Sequence, residues 1–218
     1  IFTYKNKYNR IINEYSKYLI ERSKILCKNN YDESWLETLE KNISNNALKI
    51  YSLREKQTNL LVDNLNDNLN IFDLPIKIQI KLSDKFYKNS INQELYEKEL
   101  KNNRKFDSII GGCNIGPHKS DYIFYVNNDF PVSQLSTGQQ KTIILLIYLA
   151  QCKYLIHTIN KEPIILLDEV CSHLDEINRK ILMDLVETFN LQFFLTGTSK
   201  DLFSFLSTNT NFCNIISK

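Results

Sequence analysis

Apolar residues recur at helical spacing from the start of the chain, with Tyr4, Tyr8, Ile11, Tyr15, Leu19 and Leu26 on one face. The pattern breaks at Asn29-Asn30-Tyr31-Asp32, where Asp32 is placed to cap a second helix. That helix is predicted over about residues 33–66. Leu36, Leu39, Ile43, Ile50, Leu53 and Leu60 form its apolar seam, interrupted by Asn46 and Gln57. Two long helices with one seam each predict an antiparallel hairpin or coiled-coil arm over residues 1–70; a helical subdomain packed on a core fits equally well.

The period changes after Pro75. Ile76, Ile78, Ile80 and Leu82 alternate with Lys77, Gln79 and Lys81, the pattern of a half-exposed strand. A polar helix follows over about residues 92–103, then a loop, a strand over 122–126, a turn at Asn127-Asn128 and a short return at Phe130-Pro131-Val132. From Ser136 the order is helix, strand, helix, strand, helix, which predicts an α/β domain with a parallel sheet over residues 71–218. Residues 212–216 offer one more strand.

Composition narrows the picture. A chain of 218 residues with 43% hydrophobic and 24% charged residues has material for one large globular domain, or a domain with an appendage. The net charge of +2 leaves no whole-chain footprint for nucleic acid, so any DNA-facing surface is local. Lys77, Lys81, Lys101, Arg104, Lys105 and Lys119 are candidates for it, although a solvated face is the commoner role for any one of them. The abundance of Lys, Asn and Ile fits an AT-rich genome, which discounts lysine richness as evidence. Cys27, Cys113, Cys152, Cys171 and Cys213 are odd in number and contain no C-x-x-C pair. They predict reduced thiols in a cytoplasmic protein, not a zinc site or disulfide framework. His118, His157 and His173 are too dispersed to build a metal cluster with them. The longest apolar run, residues 143–150, is short for a membrane span and fits a buried helix; no signal peptide is visible and no membrane partner is expected. Ile1 lies inside a helical pattern without a starting Met, so truncation is expected.

Two segments carry the chemistry. Leu135-Ser136-Thr137-Gly138-Gln139-Gln140-Lys141 looks like a signature loop opening a helix. Small residues allow close approach of a phosphate, and a Ser hydroxyl with free N–H groups at a helix N-terminus can hold the anion. Alone, it reads as an ordinary helix cap. Residues 164–169 form an apolar run ending in Asp168-Glu169, the form of a Walker B strand buried in a parallel sheet. Asp168 suits Mg²⁺, and Glu169 suits a general base that polarises water. Alone, it reads as a strand running into an acidic turn. The combination says more. Ser172-His173-Leu174-Asp175 stands where a D-loop would lie, and Thr196-Gly197-Thr198-Ser199 follows an apolar strand where a γ-phosphate-sensing switch loop would lie.

Gly111 and Gly116 stand at phosphate-loop spacing, but Pro117-His118 occupy the places of the required Lys and Ser/Thr. The loop also precedes a strand, so no helix N-terminus faces an anion. It is not a Walker A site, and no G-x-x-x-x-G-K-[ST] occurs in the sequence. The chain as given is therefore expected not to hydrolyse ATP in cis.

These segments, with Gly116-Pro117-His118-Lys119-Ser120-Asp121 and Leu195-Thr196-Gly197-Thr198, resemble the RecF family of bacterial recombinational DNA repair, relatives of the SMC and Rad50 ATPases. The resemblance covers nearly the whole chain as a C-terminal portion, and the Gly-Pro-His block separates it from transporter domains. It implies an α/β ABC-type ATPase head with a helical arm, using ATP and Mg²⁺. Two subunits would sandwich ATP head to head. Ser136, Thr137, Gly138 and Gln139 of one would meet the nucleotide held by the other. Asp168 would support Mg²⁺, Glu169 would activate water, Ser172 and Asp175 would serve as D-loop residues, with Asp175 crossing the interface, and Thr196 would sit near the γ-phosphate. The implied partners are double-stranded DNA, single-strand/double-strand junctions and recombination mediator proteins, in replication, repair and the SOS response. Two departures are Thr137 in place of a small Gly and Ser199 in place of an Asp. A non-catalytic remnant or binding module, or a transporter-type domain, are the alternatives.

Overall fold

Tyr8, Ile11, Tyr15 and Leu26 are buried along one side of α1 (Asn6–Leu26), as the helical spacing predicts. The computed structural model describes residues 6–28, 30–71, 76–86, 92–127, 130–169, 175–188, 191–206 and 210–214. Asp32 caps α2 (Glu33–Ile71): its Oδ1 accepts the Trp35 N–H at 3.1 Å and its carbonyl accepts the Leu36 N–H at 3.1 Å. This helix runs five residues past the predicted end because Leu61, Leu65 and Leu69 continue the four-residue spacing and are buried. Strand β1 (Ile78–Ser83) follows, then α3 (Gln93–Ile110), β2 (Asp121–Val126), β3 (Phe130–Pro131), α4 (Thr137–Ile159), β4 (Ile165–Leu167), α5 (Glu176–Thr188) and β5 (Phe193–Leu195). One sheet has the order β1-β2-β3, and β4 pairs with β5 in a second. Residues 212–214, the described part of the last predicted strand, are in no strand.

The chain forms two compact units, Ile1–Leu60 with Ile80–Tyr125, and Leu61–Gln79 with Val126–Lys218. The sequence division at residue 70 separates the polypeptide differently, because α3 and most of β2 join the arm helices in the first unit.

In the first unit α3 is longer than predicted. Asn92 caps it through the Leu95 N–H, and Gly111 ends it in the left-handed conformation, φ 66°. Tyr96, Leu100, Arg104 and Asp107 are its buried face. Two of these four are charged, which hides the seam from a hydrophobic pattern. Their charges are neutralised inside the unit. Arg22, 1% exposed, donates to Glu40 Oε1 at 2.9 Å, Asp107 Oδ2 at 2.7 Å and the Leu100 carbonyl at 2.7 Å. Arg104 donates to Glu40 Oε2 at 2.7 Å and to Glu33 at 2.5 Å. Two guanidiniums against Glu40 and Asp107 join α1, α2 and α3, and each of these four buried charges is paired. A third helix, α3, thus joins the two arm helices within the first unit. Arg104 is thereby removed from the candidate DNA-facing surface, and Lys101 is engaged with Glu37 at 2.9 Å. Lys77, Lys81, Lys105 and Lys119 are exposed, with Lys81 Nζ 4.8 Å from the Tyr125 ring centre.

In the second unit β4 and β5 are parallel, with Ile165 opposite Phe193 and Leu167 opposite Leu195. The expected buried strand at residues 164–169 is buried on one face only. Ile165 and Leu167 are buried, but Ile164 and Leu166 are 61% and 70% exposed, because this two-stranded pair is covered on one face only. Helix α4 is long and apolar enough by composition to cross a membrane. Its Ile143, Leu145, Leu146, Leu149, Ala150 and Leu155 are instead buried, and it packs on α5 as a core helix. Asn66 holds the start of β1, giving its amide to the Ile78 carbonyl at 3.1 Å and accepting the Ile78 N–H at 3.0 Å.

Candidate nucleotide site

Ser136 is extended (ψ 155°) and stands immediately before α4. Its Oγ accepts the Gln139 N–H at 3.3 Å, while Gln139 Oε1 accepts the Ser136 N–H at 3.1 Å, a reciprocal capping box. Gln140 Nε2 donates to the Leu135 carbonyl at 2.9 Å and so fixes the loop before the helix. The Thr137 and Gly138 N–H groups have no partner among the described residues and stand at the positive end of a 23-residue helix. The cap explains why the helix starts here, and the free N–H groups are what an anion would use.

A Cβ placed on Gly138 would lie 3.8 Å from Asp175 Oδ2, so these two candidate residues are neighbours. Asp175 Oδ1 accepts the Asn178 N–H at 2.8 Å and caps α5. Ser172, the other D-loop candidate, lies outside the described residues.

The carboxyl ends of β4 and β5 bring Asp168, Glu169 and Thr196 together. The Thr196 N–H reaches the Leu167 carbonyl at 3.1 Å, one step past the strand pair. Its hydroxyl donates to Asp168 Oδ1 and accepts the Glu169 N–H at 3.0 Å. Glu169 has φ 50°, the left-handed region that a non-glycine residue enters at a cost of about 1–2 kcal/mol. Both carboxylates are exposed. Gly197 follows, where a Cβ would come within 2.8 Å of the Phe203 ring; Ser199 heads a short 3-10 turn (Lys200–Phe203) without a side-chain cap bond.

One exposed carboxylate at a strand end is what magnesium takes from a protein when phosphate oxygens and water complete its shell. Asp168 fits that role. Among the described residues no group of three His, Cys, Asp or Glu side chains is assembled for a closed metal site.

The Gly-Pro-His block lies in the first unit as a brace. Its rejection as a phosphate loop agrees with Gly111 ending a helix and Gly116 preceding a 3-10 turn (Pro117–Lys119). His118 Nε2 faces the Cys113 carbonyl at 2.9 Å, so it carries the proton, and Nδ1 accepts the Tyr15 hydroxyl at 2.9 Å. Desolvation holds the imidazole below its ordinary pKa and outweighs the opposing Cys113 bond. The Cys113 thiol is pushed up to about 11 by burial, which makes it inert. Gly116 has φ 123°, and a Cβ there would meet the Tyr96 and Tyr15 hydroxyls at 2.2 and 2.4 Å. Arg54 donates to the Pro117 carbonyl, and Asp84 accepts from Ser120 and Tyr51, each at 2.6 Å. Tyr15, Tyr51, Arg54 and Asp84 were not singled out for this brace by the sequence; Tyr15 counted there only as a seam residue.

A helix capped by Ser136, then a parallel strand leading to Asp168-Glu169, a capping Asp175 and a second strand leading to Thr196-Gly197 give the second unit the α/β order of an ABC-type ATPase head fold. The chain is RecF-like. It is 29% identical over 204 residues to the DNA replication and repair protein RecF of Rickettsia bellii (strain OSU 85-389), covering 91% of this chain and 56% of that protein. It is 30% identical over 207 residues to RecF of Rickettsia typhi, covering 92% and 57%. The chain thus spans a little over half the length of the curated relatives it matches. Among solved structures, the recombination mediator protein RecF with ATP, of the RecFOR pathway, superposes with a TM-score of 0.77 at 20% identity, over 92% of this chain and 56% of that one. RecF with ATPrS gives 0.71 at 24% identity, over 91% and 55%. These likenesses establish the fold. No family model matches the chain.

Proposed function

We propose that the chain carries the signature, Walker B, D-loop and switch elements of a DNA replication and repair ATPase that closes on DNA when ATP joins two subunits head to head. The assembly of Asp168, Glu169 and Thr196 at one strand edge carries this reading. The free N–H groups of Thr137 and Gly138 beside Asp175 support it. In the closed dimer Ser136, Thr137, Gly138 and Gln139 bind the γ-phosphate of nucleotide held by the opposite subunit, with Asp175, and Ser172 of the D-loop, at the junction. Asp168 holds Mg²⁺, which supplies charge neutralisation at the phosphates. Glu169 orients and deprotonates the attacking water. Hydrolysis opens the dimer and releases double-stranded DNA or a single-strand/double-strand junction, handing the site to mediator proteins in the cytoplasm.

The test is a chimera in which this chain replaces the matched segment of the Rickettsia typhi protein. The chimera should hydrolyse ATP with Mg²⁺ faster when DNA is present, and Glu169→Gln should reduce turnover by about a hundredfold or more. Hydrolysis indifferent to DNA would favour a transporter-type head. A chimera that folds and binds no nucleotide would favour a binding module.

A further inference from the structure

We propose that Thr196 is a positioning residue that acts through Asp168 and Glu169; the proposal rests on the ATPase reading for its purpose and on the strand-end geometry for its existence. Three bonds converge on this residue. The backbone N–H continues the parallel ladder to the Leu167 carbonyl at 3.1 Å. The hydroxyl proton goes to Asp168 Oδ1, and the hydroxyl oxygen takes the Glu169 N–H at 3.0 Å. A hydroxyl has one proton, and here it is committed to a carboxylate. Thr196 therefore clamps two consecutive residues with different duties. It fixes the rotation of the Asp168 carboxylate, leaving Oδ2 outside the bond, and it pins the left-handed turn that sets where the Glu169 side chain leaves the strand edge. The β-branched side chain restricts χ1, so the register of β5 against β4 sets the direction of the hydroxyl. Strand pairing and carboxylate placement are thereby joined in one residue.

Thr196→Val keeps the shape and removes the hydroxyl, while Thr196→Ser keeps the hydroxyl. Amide hydrogen exchange at Glu169 and the Asp168 side-chain carboxyl resonance are read by NMR in this chain, without nucleotide, beside the thermal midpoint. Thr196→Val should speed Glu169 exchange by roughly threefold to tenfold and move the Asp168 resonance. Thr196→Ser should restore both, and the midpoint should stay close to that of the parent. Unchanged exchange and an unmoved resonance in Thr196→Val, or Thr196→Ser behaving like Thr196→Val, would overturn the proposal. The same variants in the chimera separate the two readings. A fall in kcat with KM kept, rescued by Ser, supports positioning. A parent chimera that fails to turn over counts against the ATPase reading, while the Glu169 amide still decides the clamp.

Discussion

Glu169 and Gly116 both have positive φ, for opposite reasons. At Gly116 the space is filled by two tyrosine hydroxyls, so Gly116→Ala adds a clash to a strained backbone. It should cost more than about 2 kcal/mol of stability in urea unfolding. At Glu169 nothing requires a side chain for folding, since the residue is exposed and φ is 50°. Glu169→Gly should therefore raise stability by about 1 kcal/mol while abolishing hydrolysis in the chimera, the mark of strain kept for function. His118 adds a pH dependence. Its folded pKa is below the unfolded value near 6.5, so the unfolded chain binds the proton more readily. The neutral ring contributes stability that is fully present above about pH 6.5 and is lost as pH falls through the depressed folded value. Urea midpoints should drop across that acid window in the parent and less in His118→Phe. Equal slopes would show that the Tyr15–His118–Cys113 chain carries no such linkage.

At the scale of elements the arm needs its buried charges kept paired as well as its apolar seam. Arg22→Leu leaves Asp107 buried without its guanidinium, and should cost about 3–5 kcal/mol by urea unfolding followed by circular dichroism. Lys101→Ala, which removes an exposed and solvent-screened pair, should leave the urea midpoint close to that of the parent. The same contrast explains what the sequence revealed. The seam of α1, the Asp32 cap, the alternation in β1 and the Ser136 cap were all legible because each is a local pattern. The last two turns of α3 were not, since Arg104 and Asp107 look like surface residues until Glu40 and Arg22 from distant positions neutralise them. The exposure of Ile164, Leu166 and Phe194 was equally hidden, because an apolar strand reads the same whether one face or two are covered. At the candidate site, the order of motifs singled out Asp168, Glu169 and Thr196, but their mutual bonding depends on the register of β4 against β5, which no local pattern contains.

For the whole molecule, the chain is RecF-like in sequence and fold while matching just over half the length of the relatives it resembles. In the proposed function, the helix after Ser136 and the strand edge at Asp168 face nucleotide and need a second subunit for their work. Binding of DNA by the closed dimer should weaken steeply with salt, with the slope reduced by about one unit for each phosphate-contacting lysine removed; Lys81→Ala and Lys119→Ala, measured by fluorescence anisotropy, are the first to compare. The most direct measurement is the solution mass, by light scattering, of the Glu169→Gln chimera with and without ATP and Mg²⁺. Head-to-head closure predicts a doubling of mass on adding ATP that disappears in Ser136→Arg. A mass that stays monomeric with ATP bound would contradict it, and would leave the Ser136 loop as a helix cap alone.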